Sequence, residues 1–68
     1  MKFGEAMKLR RMKQGIGQIE LADRVGTTQA NISKIERGEH FPEVRTAFRI
    51  AKELGISAAD LERLVRNN

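Results

Sequence analysis

QIELADRVGTTQANISKIER, residues Gln18–Arg37, decides how this chain folds. It divides at Gly26 into two short amphipathic runs. The first carries Ile19, Leu21, Ala22 and Val25. The second carries Ile32 and Ile35, with Gln29, Asn31, Ser33 and Lys34 on the remaining arc. Residues three and four apart are neighbours on a helix surface, so each run predicts a helix with one apolar stripe. Gly26 can take the left-handed conformation that stops a helix, and Thr28 can cap the free amides of the next one.

Two helices crossing steeply over a short glycine-containing turn form a helix-turn-helix, which lays its second helix in the major groove of DNA. Outward from it, the same stop and start signals predict five helices and no strand, an all-α fold. The first runs over about Phe3–Lys13 and stops at Gly15. The second is Gln18–Val25, with Gly17 as a permissive N-cap, and the third is Gln29–Arg37, closed by Gly38. After the loop Gly38–Pro42, a fourth helix covers about Glu43–Leu54 and ends at Gly55. A fifth begins after Ser57, which can cap it, and runs to about Arg66. The expected core is Phe3, Met7, Ile16, Leu21, Ala22, Val25, Ile32, Ile35, Val44, Ala47, Phe48, Ala51, Leu54, Ile56, Leu61 and Leu64. One stripe per helix is too narrow to stand alone, so the helices must share one centre.

Sixty-eight residues are expected to form a single domain, residues 1–68. A chain of this size buries only about 60% of its unfolded surface and has no room for a deep enzyme cleft. It has no cysteine, which excludes disulfides and thiolate metal sites and fits a reducing compartment. Neither a membrane span nor the apolar stretch of a secretory signal is present, so a cytoplasmic location is expected. The net charge is +4, and its placement is uneven. Residues 1–37 hold eight basic and four acidic side chains, whereas residues 38–68 hold five of each. The excess sits on the half with the helix pair, where it suits a polyanion through counterion release. The plainer reading is a solvated surface tuned for solubility.

Taken together, Arg11 before Gly15-Ile16, then Gln18, Leu21-Ala22, Val25-Gly26, Ile32, Ile35-Glu36-Arg37-Gly38, Pro42 and Ala51–Ile56 are spaced as in a known family. From about Phe3 to Leu64 the chain resembles the phage repressor and Cro-type helix-turn-helix domains, the XRE family. The segment GTTQ, Gly26–Gln29, is similar to that of the phage 434 repressor. The resemblance implies a compact five-helix, lambda-repressor-like domain that binds operator DNA in a sequence-specific way, as a homodimer on a palindrome, in a bacterial or phage transcriptional regulator associated with the nucleoid. An antitoxin-like member would also hold a protein partner. Three positions depart from the pattern. Gly17 replaces the usual polar cap, Ile19 replaces an outward polar residue, and Arg10 stands where many members have a core leucine. Ile19 is either an exposed apolar residue of no consequence or part of a partner surface.

With Ile32 and Ile35 turned inward, the outer face of the third helix holds the candidate base contacts Gln29, Ala30, Ser33 and Lys34. The Gln29 amide can donate and accept together, matching the N6/N7 edge of adenine; Ala30 suits a thymine methyl, and Lys34 suits guanine or a phosphate. The competing reading is an ordinary solvated helix face. Gln18, at a helix N-terminus with open amides, is a candidate phosphate contact with Thr28, Asn31 and Arg37. In resembling domains the positions of Arg11 and Glu36 form a partly buried ion pair, so these two are expected to hold the third helix at its angle. His40, the only histidine, is expected at the surface. No cofactor, metal site or catalytic constellation is indicated, which excludes an enzyme from the leading readings.

Overall fold

Local stop signals set the helix boundaries in the computed structural model, which describes all 68 residues. The elements are α1 (Phe3–Lys13), α2 (Gln18–Val25), α3 (Gln29–Glu36), α4 (Val44–Leu54) and α5 (Ala58–Asn67), with no strand. Each expected helix is present, with ends shifted by at most a residue. Arg37 and Glu43 serve as caps rather than as helical residues. Thr28 Oγ1 accepts from the Asn31 backbone N–H at 3.1 Å, and Ser57 Oγ accepts from that of Asp60 at 3.1 Å. Gly26 takes φ 76° and ψ 37°, a conformation that costs an L-residue with a Cβ about 1 kcal/mol or more. It thereby turns the chain sharply from α2 into α3.

The helices pack into a body of 27 × 22 × 19 Å around Phe3, Met7, Leu21, Ile32, Ile35 and Ile50, all essentially without solvent contact. Two expected core residues lie elsewhere: Val44 is 72% exposed and Phe48 58% exposed. Ile50, which the sequence reading left out, is fully buried in their place. The buried line of α4 is Ala47, Ile50, Ala51 and Leu54, spaced as one helical face. Val44 and Phe48 fall on the flank of that face. The apolar arc of α4 is therefore wider than the core needs, and its surplus opens toward α5.

Arg10, in the last turn of α1, and Gln14, its C-cap, finish α4. Arg10 Nη1 donates to the Gly55 carbonyl and Gln14 Nε2 to the Leu54 carbonyl, each at 3.1 Å. These are carbonyls that a helix end leaves without backbone partners. The departure at Arg10 thus exchanges core volume for a cap. At the other end of α1, Gly4 lies against α3. A Cβ built there would stand 2.2 Å from the Ile35 carbonyl oxygen. Only glycine allows this approach, which seats α3 directly on α1.

Candidate nucleic-acid interface

Helix α3 shows two chemically different sides. Ile32 and Ile35 are buried, and Gln29, Ala30 and Lys34 are exposed, with Ser33 half-buried between them. The four candidate base contacts therefore share one outward face. What distinguishes that face is how its N-terminal end is held.

The holding begins at a buried ion pair. Arg11 Nε donates to Glu36 Oε2 at 2.7 Å and Arg11 Nη2 to Glu36 Oε1 at 3.1 Å, with each residue 9% exposed. This forked contact is geometrically specific as well as strong. Arg11 Nη1 also donates to the Ile16 carbonyl at 2.8 Å, fixing the segment that leads into α2. Glu36 Oε1 accepts further from Gln18 Nε2 at 3.0 Å. An ionised carboxylate only accepts, so Gln18 has to turn its NH2 toward Glu36. Its carbonyl oxygen then faces α3 and accepts from Gln29 Nε2 at 3.4 Å. The charge buried at Arg11 and Glu36 in this way fixes the orientation of an exposed amide. Gln29 keeps its own Oε1 and its second N–H free, one acceptor and one donor side by side.

A second network joins the turn to the loop after α3. Asn31 Nδ2 donates to Thr27 Oγ1 at 2.9 Å, while Asn31 Oδ1 lies 2.8 Å from His40 Nε2. Both ends of Asn31 are thus engaged within the protein. At the C-terminal end of α3, Arg37 Nε donates to Glu39 Oε2 at 2.5 Å, and Arg37 Nη1 donates to Ser33 Oγ. The Arg37 hydrogen bond holds the Glu39 carboxyl below its ordinary value of 4.5, and Glu39 in return raises the Arg37 guanidinium. Gln18 opens α2 and Thr28 caps α3, each beside the first-turn amides of its helix.

The model of the family described as helix-turn-helix matches residues 7–61. This chain belongs to the helix-turn-helix family. It is of the Cro/C1 type, a class of DNA-binding transcription regulators and not of enzymes. An uncharacterized HTH-type transcriptional regulator of Methanothermobacter thermautotrophicus is 44% identical over 45 residues, covering 66% of this chain and 65% of that protein. The uncharacterized HTH-type transcriptional regulator MJ0272 of Methanocaldococcus jannaschii is 33% identical over 55 residues, 81% of this chain and 83% of the relative. The SPbeta prophage-derived uncharacterized HTH-type transcriptional regulator YonR of Bacillus subtilis is 34% identical over 55 residues, 81% of this chain but 51% of that protein. The match thus spans under two thirds of the first relative and about half of the third.

In this helix-turn-helix, three contributors escaped the sequence reading. Gly4 permits the close approach of α3, Thr27 anchors Asn31, and Glu39 holds Arg37. Gly4 carried a signal of a kind, since an unexplained glycine inside a helix costs about 1 kcal/mol and often marks close packing. The partnerships of Thr27 and Glu39 depend on loop geometry that spacing alone does not give.

Proposed function

We propose that this helix-turn-helix domain, residues 1–68, binds double-stranded operator DNA in a sequence-specific way and represses transcription, acting as a homodimer on a palindromic site. The observation that carries the reading is the orientation of Gln29, held by Gln18 with its remaining donor and acceptor directed outward. That pair of groups matches the major-groove edge of adenine. Ala30, Ser33 and Lys34 extend the reading face. Thr28, Arg37 and the open amides at Gln18 hold the phosphates that set register, and Asn31 reaches one only by giving up a bond to Thr27 or His40. The basic excess of residues 1–37 supplies the attraction. No helix is long and apolar enough to cross a membrane, and a cytoplasmic, nucleoid-associated location goes with this reading.

The test is titration of a mixed-sequence duplex at rising salt, with wild type and the Gln29→Ala, Lys34→Ala double variant. The reading expects log affinity to fall linearly with log salt, and the double variant to lose discrimination among sequences while keeping its fold. Salt-independent binding, or unchanged discrimination, overturns it. A second reading, an antitoxin-type protein-interaction module, draws on Ile19, which is 61% exposed in the first turn of α2. In that case the double variant keeps its cellular phenotype and Ile19→Glu loses it.

A further inference from the structure

We propose that His40 is a further phosphate contact of this interface, formed only by the protonated ring, so that DNA binding takes up a proton and weakens as pH rises. The inference rests on the DNA-binding reading above and adds to it a residue and a pH dependence.

Position comes first. Gln29 and Asn31 stand two residues apart on α3, about 200° around the helix. Gln29 is bonded to Gln18 and Asn31 to His40, so Gln18 and His40 lie on opposite flanks of the reading face. An α-helix with its side chains is about 10–12 Å across, and the major groove is about 12 Å wide. A helix that fills the groove therefore meets a phosphate strand on each flank. The amides at the start of α2 serve one. Toward the other, the loop Gly38–Pro42 offers Glu39 and His40, and of those two side chains only the histidine can hold an anion.

The chemistry follows from Asn31. Its Nδ2 donates to Thr27 Oγ1 at 2.9 Å, which turns its Oδ1 to His40 Nε2 at 2.8 Å. An amide oxygen only accepts, so Nε2 carries a hydrogen. In the neutral ring the other nitrogen, Nδ1, is then a bare acceptor. A phosphate oxygen is an acceptor as well, and the two repel. A proton added at Nδ1 makes both nitrogens donors and the ring a cation, with the bond to Asn31 kept. Asn31 is thus a positioning residue: it fixes the ring in the form that binds a phosphate only by taking a proton. The bound phosphate raises the proton affinity of the ring, so the contact is present at low pH and lost as pH rises through the imidazole range.

The charged groups nearby do not imitate this behaviour. Glu39, the preceding residue, is held below its ordinary value by the Arg37 hydrogen bond, with Lys34 and His40 acting in the same sense. Glu43 at the N-cap of α4 and Asp23 in the last turn of α2 are the remaining acids toward this side. Carboxylates, ammonium and guanidinium groups as types titrate outside the imidazole range, and His40 is the only histidine.

The experiment is titration of a mixed-sequence duplex at about pH 5.5 and about pH 7.5, on the two sides of the imidazole range, each over a series of salt concentrations. Wild type, His40→Gln and Asn31→Ala are compared. Wild type binds about three- to tenfold more weakly at the higher pH, and its salt slope there is shallower by about 0.9, the share of one phosphate contact. His40→Gln melts as wild type and binds alike at both pH values. Asn31→Ala lets the neutral ring carry its hydrogen on Nδ1, and its pH dependence shrinks. Nitrogen-15 spectra of the free chain at the higher pH show the hydrogen on Nε2. Wild-type affinity that is equal at both pH values overturns the proposal and leaves the DNA reading standing. A pH dependence that survives His40→Gln overturns it by placing the proton elsewhere. A neutral ring with its hydrogen on Nδ1, or full pH dependence in Asn31→Ala, overturns the role of Asn31. A chain that binds no duplex at either pH ends both readings.

Discussion

Two arginine–glutamate pairs meet at the C-terminal end of α3, built by the same chemistry and to opposite effect. On the side facing α1, Arg11 and Glu36 are buried, forked together and tied onward through Gln18 to Gln29 at the N-terminus of α3. One residue on, Arg37 and Glu39 lie about half exposed and tie only to each other and to Ser33. Burial decides the difference. A charge left behind at the first pair has no water to turn to, whereas at the second it is solvated at once. The buried pair is a fixture of the fold. The exposed pair is an arginine held in waiting, which a phosphate can draw away from its carboxylate.

The largest effect that tests this contrast belongs to Arg11→Met. It strands Glu36 and should cost about 3–5 kcal/mol, which in a domain this small lowers the melting temperature by tens of degrees. Thermal denaturation measures it. Melting like wild type together with loss of DNA binding would reassign Arg11 to the DNA. Gly4→Ala comes next. Its methyl group meets the Ile35 carbonyl, and the forced separation of α1 from α3 should cost about 1–3 kcal/mol in denaturant melts. A neutral result would mean that α3 tolerates being moved.

Gln29→Ala leaves stability within about 0.5 kcal/mol, because the side chain is exposed. On a selected site it should cost about 1–3 kcal/mol of binding and relax preference at one base pair. Gln18→Ala, read by the same assay, should reproduce part of that loss by freeing the Gln29 amide. Glu39→Gln is the smallest in stability and has the opposite sign on DNA. With Arg37 released, affinity for any duplex should rise a few-fold at low salt, and the salt slope should steepen by about 0.9, the share of one added phosphate contact. Unchanged slope would show that Arg37 never reaches the backbone.

What the sequence disclosed followed from how local the cause was. Helix ends were legible because Gly26, Thr28, Ser57 and Gly55 act within a turn of themselves. The outward placement of Gln29, Ala30 and Lys34 followed from Ile32 and Ile35 lying three apart. The exchange of Val44 and Phe48 for Ile50 was not legible. The α4 arc holds more apolar residues than a narrow core accepts, and which flank wins depends on where α5 lies. Gly4 showed its meaning only once α3 was in place, and Glu39 only once the loop after α3 had folded back.

The central claim is that a buried charge pair sets an exposed glutamine to read bases. Selection of binding sites from random duplexes, by wild type and by Gln29→Ala in parallel, tests it most directly. The account predicts that wild type enriches an inverted repeat and that the variant loses preference at one base pair in each half-site while keeping the rest. Enrichment of the same full site by both proteins, or of no site by wild type, would contradict it.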